Sequence, residues 1–401
     1  MPARALQVEM SQRGDRVIAL RVRSEPDDSD RALARRFAQD KVADPAAEDG
    51  LLTVPLDSTA LIAHYLRAAR LSGGVYVHLP ALCPRTDCKG IRFTIKARHI
   101  LFGDVEASGT LSIDDAAAAD ASVFFTNEEH PRLKDAVYVG PEFTQAAVDS
   151  IQDSLHRIRS AYEAIAGRDL LAGIGVIATI ARNDAGYTGF GGDSLNIIRL
   201  TFDNPGQMPE SRMVQAITRT YAHEVAHKLQ SPRLFDLPQG RLVTEGSADF
   251  MKIMMLMRTH LEAEAGGSEL VAKAYDQCSR QRGGQGLRER ISTHAADFRE
   301  FYDCGLIDYL ALMFSSGRSD AQFIPDLVAA LGFPPETTGA IPVDCMLLSA
   351  ACKDPVLLDM MGDSAHLEAR RAWFDEQWNA YVRSRQEGGA HGGQIGQSSG
   401  R

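Results

Sequence analysis

The sequence predicts an α+β protein with a β-rich N-terminal domain at residues 1–145, a mostly helical domain at 146–385 and a disordered tail at 386–401. In the first domain, apolar and polar residues alternate over short segments, as in half-buried strands. In the second, apolar residues recur every three or four positions over long stretches, as on one face of a helix. The tail is rich in glycine and polar residues, a composition that does not support a packed core.

The elements of the first domain follow from local patterns. Two apolar segments flank the turn-forming residues 11–15 and predict a β-hairpin. Residues 31–42 and 59–71 carry apolar side chains at helical spacing and predict two helices. The segment 114–122, rich in Asp and Ala, is predicted to be a loop. Alternation predicts three further strands, at 74–79, 91–97 and 105–113.

The second domain is predicted to open with a long amphipathic helix at 145–167 and a buried strand at 171–180. A glycine-rich turn then leads into a strand within 186–202. A proline is tolerated in the first turn of a helix, so one short helix is predicted to start near Pro325. The other predicted helices span 211–230, 242–263, 268–281, 297–314 and 365–382.

The helix at 211–230 carries the sequence His223-Glu224-Val-Ala-His227. Residues four apart lie on the same helical face, so both imidazoles can reach one metal ion. Glu224 leans toward the same side, where its carboxylate can take a proton from a water molecule at the metal. We therefore predict that His223 and His227 bind the metal and that Glu224 is the general base.

The next helix offers a third ligand. Two histidines and one glutamate form one of the usual ligand sets of catalytic zinc, and Glu245 is the candidate glutamate. Asp249 lies four residues further along, on the same face, where a carboxylate can accept the free N–H of a ligating histidine and fix its tautomer. The predicted cofactor is Zn²⁺.

These motifs resemble the gluzincin metallopeptidases. His-Glu-Val-Ala-His followed by Thr-Glu-Gly-Ser-Ala-Asp is most similar to the aminopeptidase N-type and glycyl aminopeptidase families, and the spacing of Glu245 and Asp249 is also similar to thermolysin. The resemblance implies a thermolysin-like catalytic domain and a β-sandwich-like N-terminal domain. It further implies that Tyr302, in a Tyr-x-x-Gly segment, donates a hydrogen bond to the oxyanion.

In gluzincins a glycine-rich edge strand before the zinc helix binds substrate as an added strand. The resemblance therefore implies substrate-binding roles for Gly191, Gly192 and Asp193, because such a strand pairs with an extended peptide through its backbone. Two departures from the family pattern leave other functions open. The gap between His227 and Glu245 is a residue or two shorter, and Asp193 stands where aminopeptidases carry a glutamate for the substrate amine.

Composition narrows the choice of partners. The 401-residue chain has a net charge of −10, which disfavours binding to nucleic acid or to anionic membranes. No apolar run reaches about 18 residues, so no transmembrane helix is predicted. The expected partner is a peptide or protein substrate, cleaved by zinc-dependent hydrolysis. The alternatives are a catalytically silent gluzincin-like module that binds metal or protein, and a zinc hydrolase acting on a non-peptide substrate such as an ester or epoxide.

Two observations point to different compartments. The N-terminal residues lack the apolar core of a signal peptide, which favours the cytoplasm for the chain as written. The six cysteines instead suit disulfides in an exported or periplasmic protein. Two pairs lie close in sequence and two residues remain: Cys83 with Cys88, Cys345 with Cys352, and then Cys278 and Cys304.

Overall fold

The fold is described from a computed structural model. The described residues are 6–13, 17–23, 28–38, 42–43, 51–55, 61–62, 65–66, 68–71, 74–102, 105–119, 121–127, 137–167, 175–181, 189–194, 197–236, 240–282, 298–332 and 364–392. The chain divides into two compact units, Met1–His156 with Leu171–Glu224 and Arg157–Leu170 with Val225–Arg401. The domain boundaries at residues 145 and 385, which the sequence predicts, stay a prediction.

The first unit begins with a large sheet. Its strands and the neighbouring elements are β1 (Leu6–Arg13), β2 (Val17–Arg23), α1 (Asp28–Ala38), β3 (Val42–Ala43), β4 (Leu51–Pro55), β5 (Leu61–Ile62), β6 (Tyr65–Leu66), β7 (Ala68–Leu71), β8 (Gly74–His78), β9 (Ile91–Phe102), β10 (Val105–Ile113), α2 (Asp115–Ala118) and β11 (Ser122–Thr126). Within the described residues nine strands form this sheet, in the order β3-β4-β2-β1-β9-β11-β8-β7 with β10 paired to β9. β5 and β6 pair separately.

The strands of this sheet follow the alternation of apolar and polar residues in the sequence. β1 and β2 form an antiparallel pair, which confirms the predicted hairpin strands. Along β9, Ile91, Phe93 and Ile95 are buried while the residues between them are more exposed. These side chains pack with residues such as Val8 and Phe125 in one apolar core. The β-rich character of the N-terminal part is therefore confirmed.

Two local predictions in this unit are wrong. The helix predicted at 59–71 is replaced by short strands, since β7 pairs antiparallel with β8 and Ala68 is fully buried. Strand pairing thus overrides the helical spacing of the apolar residues. The predicted loop at 114–122 contains the short helix α2, because Asp114 caps it by accepting a hydrogen bond from the Ala117 N–H at 2.9 Å.

A second sheet belongs to the same unit and leads to the helix with the histidines. Its strands are β12 (Val137–Val139), β13 (Val176–Ala181), β14 (Gly189–Ser194) and β15 (Ile198–Asp203). Two helices accompany it, α3 (Gln145–Ala166) and α4 (Glu210–Ala226), and the C-terminal parts of both, from Arg157 and from Val225, belong to the second unit. In the described part of the chain the order is β12-β13-β15-β14, with β14 antiparallel at the edge and the other three strands parallel. Every residue of β15 is buried, as is usual for a strand covered on both faces.

A buried polar cluster joins β8, β11 and β15. The Arg199 Nη1 donates to the Tyr76 hydroxyl at 2.6 Å, and that hydroxyl lies 2.9 Å from the Ser122 Oγ. The Nδ1 of His78 lies 3.1 Å from the same Oγ. Burial, followed by the charge of Arg199, lowers the pKa of His78 to about 3. His78 is therefore neutral at physiological pH and helps to satisfy the buried polar atoms between the two sheets.

The second unit is mainly helical, which confirms the predicted character of the C-terminal part. Its helices are α5 (Gly240–Arg258), α6 (Glu264–Arg282), α7 (Phe298–Ser315), α8 (Asp320–Gly332), α9 (Ser364–Ala369) and α10 (Arg371–Gly392). Phe250 is fully buried, with ring-centroid distances of 5.6 Å to Phe323 and 6.1 Å to Tyr309. α10 extends to Gly392, into the segment that the sequence predicts to be disordered.

α8 starts earlier than the sequence predicts. It begins at Asp320 and contains Pro325 in its interior. The Ser319 N–H donates to the Gln322 Oε1 at 3.2 Å, which is one half of a capping box. This Ser-x-x-Gln pattern fixes the start of the helix before the proline.

The contact between α5 and α7 is close because two glycines face each other. A Cβ at Gly246 would lie 2.6 Å from the Gly305 Cα, and one at Gly305 would lie 2.4 Å from the Gly246 Cα. Real Cβ atoms do not approach backbone carbons this closely, since carbon atoms pack best at about 3.5–4.0 Å. The two backbones therefore meet without any side chain between them.

Among the described residues there are two disulfides, Cys83–Cys88 and Cys278–Cys304. The second links α6 to α7, and both of its cysteines are fully buried. Cys345 and Cys352 lie outside the described residues. The disulfides suit an oxidising compartment, and export stays a prediction. Within the described chain, none of the helices has the length and apolar character needed to span a bilayer.

Candidate metal centre

The centre begins at the C-terminal end of α4. Met213, Ile217, Tyr221 and Val225 recur at four-residue spacing, and no glycine or proline interrupts the helix. The α-helix ends at Ala226, four residues before the predicted end at Gln230, and continues as a 3₁₀-helix over His227–Leu229. His223 and Glu224 are each only 6% exposed, so this end of the helix carries polar side chains in a nearly dry environment.

α5 brings the third predicted ligand to the histidines. One donor atom from each of His223, His227 and Glu245 lies within 4.8 Å of the others. The Nε2 of His227 and the Oε2 of Glu245 are 3.6 Å apart, with both side chains mostly buried. Among the described residues, this is the one cluster of His, Cys, Asp and Glu close enough to hold a metal ion.

The donor set fits zinc. Bonds of about 2.0–2.2 Å in a tetrahedral arrangement place ligand atoms about 3.4 Å apart, close to the distance between His227 and Glu245. Two imidazole nitrogens and one carboxylate oxygen also match the ligand types of a catalytic zinc site, which retains a position for water or substrate. The residues present can therefore hold the ion that the sequence predicts.

Gln230 is a polar residue of the centre that the sequence reasoning missed. Its Oε1 lies 2.9 Å from the Nδ1 of His227, while its Nε2 donates to the Thr244 backbone oxygen at 2.7 Å and to the Ser247 Oγ at 3.0 Å. The three-residue spacing from His227 was visible in the sequence. What the sequence did not show was the 3₁₀ turn, in which residues three apart eclipse each other.

Asp249, the predicted partner of a ligating histidine, forms an ion pair with a lysine of its own helix. Lys252 donates to its Oδ1 at 2.6 Å. The Nδ1 of His227 is instead next to Gln230, so that a contact of Asp249 with the other ligand, His223, stays a prediction. Asp249 also influences α7: burial, and then the charge of Asp249, raises the pKa of Asp303 to about 6.

Tyr302 lies near the start of α7, one turn before Gly305, and is half-buried. Glu245 immediately precedes Gly246 on α5. Because Gly246 and Gly305 are in contact, the helical segments that carry Glu245 and Tyr302 are neighbours. The proposed role of Tyr302 depends on this packing of α5 against α7.

The glycine-rich strand β14 is the edge of its sheet among the described residues. A Cβ at Gly192 would lie 2.8 Å from both the Arg199 backbone oxygen and the Thr220 Cγ2, whereas a Cβ at Gly191 would meet nothing within 4 Å. Thr220 is three residues before His223 on α4, so the strand runs beside this helix. The side chain of Asp193 lies outside the described part of the structure.

Comparisons with known proteins give little further information. No family model matches the sequence, and no curated protein does. Solved structures similar to the chain include native yeast LTA4 hydrolase, at 11% identity and a TM-score of 0.43, covering 82% of this chain and 61% of that one.

Two further structures of this yeast hydrolase are also similar to the chain. Native leukotriene A4 hydrolase from Saccharomyces cerevisiae matches at 12% identity and a TM-score of 0.41, covering 81% of this chain and 61% of that one. The yeast enzyme in complex with bestatin matches at 11% identity and a TM-score of 0.45, covering 89% and 66%. The chain thus spans less than two thirds of the length of these proteins. Similarity at this level carries no conclusion about chemistry.

Proposed function

We propose that the protein is a zinc-dependent hydrolase that cleaves peptide bonds, with His223, His227 and Glu245 as the metal ligands. The observation that carries the proposal is the convergence of their donor atoms within 4.8 Å of one another. The two histidines come from the end of α4 and the turn that follows it, and the glutamate comes from α5. Together they form a ligand set that zinc prefers. When bound there, zinc polarises a carbonyl group and lowers the pKa of water to about 7.

Glu224 is the proposed general base. It follows the first histidine on α4 and is 6% exposed, so few water molecules compete for its carboxylate. In the proposed reaction it accepts a proton from the attacking water as the C–O bond forms. It then transfers that proton to the amide nitrogen as the C–N bond breaks, which leaves a free amine and a carboxylic acid. A positioned base of this kind contributes about 10²–10⁴-fold to the rate.

Tyr302 is the proposed stabiliser of the negative charge on the carbonyl oxygen. Its half-buried phenol can donate a hydrogen bond to that oxygen, and a donor held in place costs little reorganisation during the reaction. The close approach of α5 and α7 at Gly246 and Gly305 supports the role, because it keeps the helix with Tyr302 beside the helix with Glu245.

The edge strand β14 is the proposed binding surface for the peptide. A peptide that adds to an edge strand is held by backbone hydrogen bonds, which do not depend on its side chains. Gly191 leaves open space above the strand, and Gly192 allows the strand to approach Thr220 of α4. Asp193 is the next residue of the strand, and we propose that it contacts the substrate near the end of the peptide.

Substituting Glu224 with glutamine tests the proposal. The variant should retain about one zinc per chain, measured by elemental analysis, and lose at least about 100-fold in kcat/KM on a quenched fluorescent peptide library. Glu163→Gln is the matched control, because Glu163 pairs with Arg159 on α3 and has no proposed role in the reaction. Chelation should abolish cleavage by the wild type, and zinc should restore it.

Each other result selects a different function. Full peptide cleavage by Glu224→Gln would end the proposed mechanism. Zinc binding by the wild type without cleavage of the peptide library would favour a silent binding module. Zinc-dependent hydrolysis of ester or epoxide substrates alone would favour a non-peptide hydrolase.

A further inference from the structure

Gln230 occupies a constrained position between the two metal-binding helices. It is the C-terminal cap of the 3₁₀-helix, with extended backbone angles of φ −94° and ψ 138°. Its own N–H donates to the His227 backbone oxygen at 3.2 Å, and the N–H of the next residue, Ser231, donates to the Leu331 backbone oxygen at 2.9 Å. The backbone on both sides is thus held, and the side chain, 8% exposed, enters the interior beside α5.

The direction of each hydrogen bond at Gln230 can be assigned from chemistry. The Thr244 backbone oxygen only accepts, so the Gln230 atom 2.7 Å away must be the amide nitrogen. Ser247 donates its hydroxyl to the same oxygen at 3.4 Å and accepts from Gln230. The remaining amide atom, Oε1, can only accept, and so the Nδ1 of His227 must carry the proton of the 2.9 Å hydrogen bond.

This assignment determines the other nitrogen of the ring. A neutral imidazole with its proton on Nδ1 has a bare Nε2. That Nε2 is the atom 3.6 Å from the Glu245 carboxylate, on the side where the metal is proposed to bind. Histidine ligands bind metal through an unprotonated nitrogen, and the hydrogen bond at the other nitrogen fixes the tautomer.

We propose that Gln230 is a positioning residue of the metal centre, which holds His227 in the Nδ1-protonated tautomer and ties it to the first turns of α5. The proposal rests on the proposed function, because it assigns the bare Nε2 to a zinc ion. The two acceptors of the Gln230 amide, Thr244 and Ser247, flank Glu245 in sequence. A single side chain therefore orients one ligand and anchors the helix that supplies another.

The amide is suited to this place because it accepts on one side and donates on the other. A glutamate at position 230 keeps the acceptor for the Nδ1–H of His227 but, when ionised, has no proton for the Thr244 oxygen. A methionine has a similar length and lacks both functions. The pair Gln230→Glu and Gln230→Met consequently separates the effect on the histidine from the effect on the helix.

The first measurement uses the metal-free 401-residue chain. Nitrogen-15 NMR of histidine-labelled protein at pH 8.5 reports which ring nitrogen of His227 carries the proton. The wild type should show the proton on Nδ1, and Gln230→Met should show a mixture with the Nε2-protonated form. Gln281→Met is the matched control, because Gln281 is a half-buried amide on α6 and its substitution should leave the His227 resonances unchanged.

The second measurement is zinc affinity by competition with a fluorescent chelator. Gln230→Met should raise the zinc Kd about 10–100-fold, the usual effect of removing a hydrogen-bond partner of a ligand. Gln230→Glu should bind zinc within about threefold of the wild type, since carboxylate partners of ligating histidines serve the same purpose. The urea midpoint of the metal-free protein should fall in both variants, because both lose the donors to α5.

The outcomes separate the two proposals. An unchanged His227 tautomer in Gln230→Met, or an equal loss of zinc affinity in Gln230→Met and Gln230→Glu, would overturn the role of Gln230 and leave the zinc hydrolase intact. A purely structural Gln230 would lower the urea midpoint without any change in tautomer. A wild type that binds no zinc would overturn the proposed function, while the tautomer measurement would still decide what Gln230 does to His227.

Discussion

A single methyl group at the contact between α5 and α7 should disturb both stability and the metal centre. In Gly305→Ala the new Cβ would lie 2.4 Å from the Gly246 Cα, 3.1 Å from the Gly246 N and 3.2 Å from the Leu242 backbone oxygen. Carbon atoms pack at about 3.5–4.0 Å, so the helices must separate by about 1 Å. These neighbours are backbone atoms, which cannot rotate away as the end of a side chain can.

The magnitude follows from two opposing effects. Overpacking a rigid contact costs about 1–3 kcal/mol, and the upper end applies to a contact between two backbones. Alanine is a better helix former than glycine by about 1 kcal/mol. The expected net loss is about 2 kcal/mol of unfolding free energy. Because Glu245 is adjacent to Gly246, the same displacement should weaken zinc binding about tenfold.

The assay is urea unfolding of the metal-free protein together with zinc competition. Gly267→Ala is the matched control, since Gly267 is also a buried helical glycine but its Cβ would meet the Met257 sulfur at 3.1 Å. A flexible methionine can move, so that this variant should be as stable as the wild type or up to about 1 kcal/mol more stable. Equal stabilities and zinc affinities for Gly305→Ala and Gly267→Ala would refute the reasoning.

Two further predictions concern α7. Burial, more than a neighbouring carboxylate, raises the pKa of Asp303 to about 6. The folded state therefore binds this proton more tightly than the unfolded chain does. The stability of the protein consequently falls as the pH rises from about 4 to about 6. Asp303→Asn should remove this fall and, allowing for partial solvent exposure, stabilise the protein by about 1 kcal/mol above pH 6. A gain in the urea midpoint that is the same at pH 4 and pH 7 would contradict this prediction. Replacing Cys278 and Cys304 by serine should cost about 3.5 kcal/mol from the chain entropy of a 26-residue separation, against about 2 kcal/mol for the five-residue separation of Cys83 and Cys88. Comparable losses in the two double-serine variants, measured by urea unfolding, would argue against the entropic account.

The residues of the candidate centre were accessible to sequence reasoning to different degrees. His223 and His227 could be predicted to lie on one face because their relation depends only on the helical repeat. Glu245 could be proposed from its chemistry, but its distance from His227 is a tertiary contact that the helical repeat does not determine. The same periodicity predicts Asp249 as a partner for one of the two imidazoles, and its pairing with His223 stays a prediction. The Nδ1 of His227 has a neighbour from its own segment, Gln230.

The errors in the fold have a similar origin. Residues 59–71 have helical spacing, yet β7 forms because β8 offers an open strand edge and a buried site for Ala68. The predicted start of α8 near Pro325 is wrong because the helix begins at Asp320, next to the capping pattern of Ser319 and Gln322. The formation of β7 and the start of α8 both depend on contacts with other residues, which the spacing of apolar residues does not reveal.

The sequence by itself determined the β-rich first part, the helical second part and the chemical types of the ligands, because these follow from repeats of two and 3.6 residues and from side-chain identity. Only the tertiary structure decided that Gly246 and Gly305 touch, that Gln230 spans from His227 to α5, and that Cys278 is joined to Cys304. Contacts between distant segments depend on how whole helices pack, and no local pattern encodes the distance at which two helices meet.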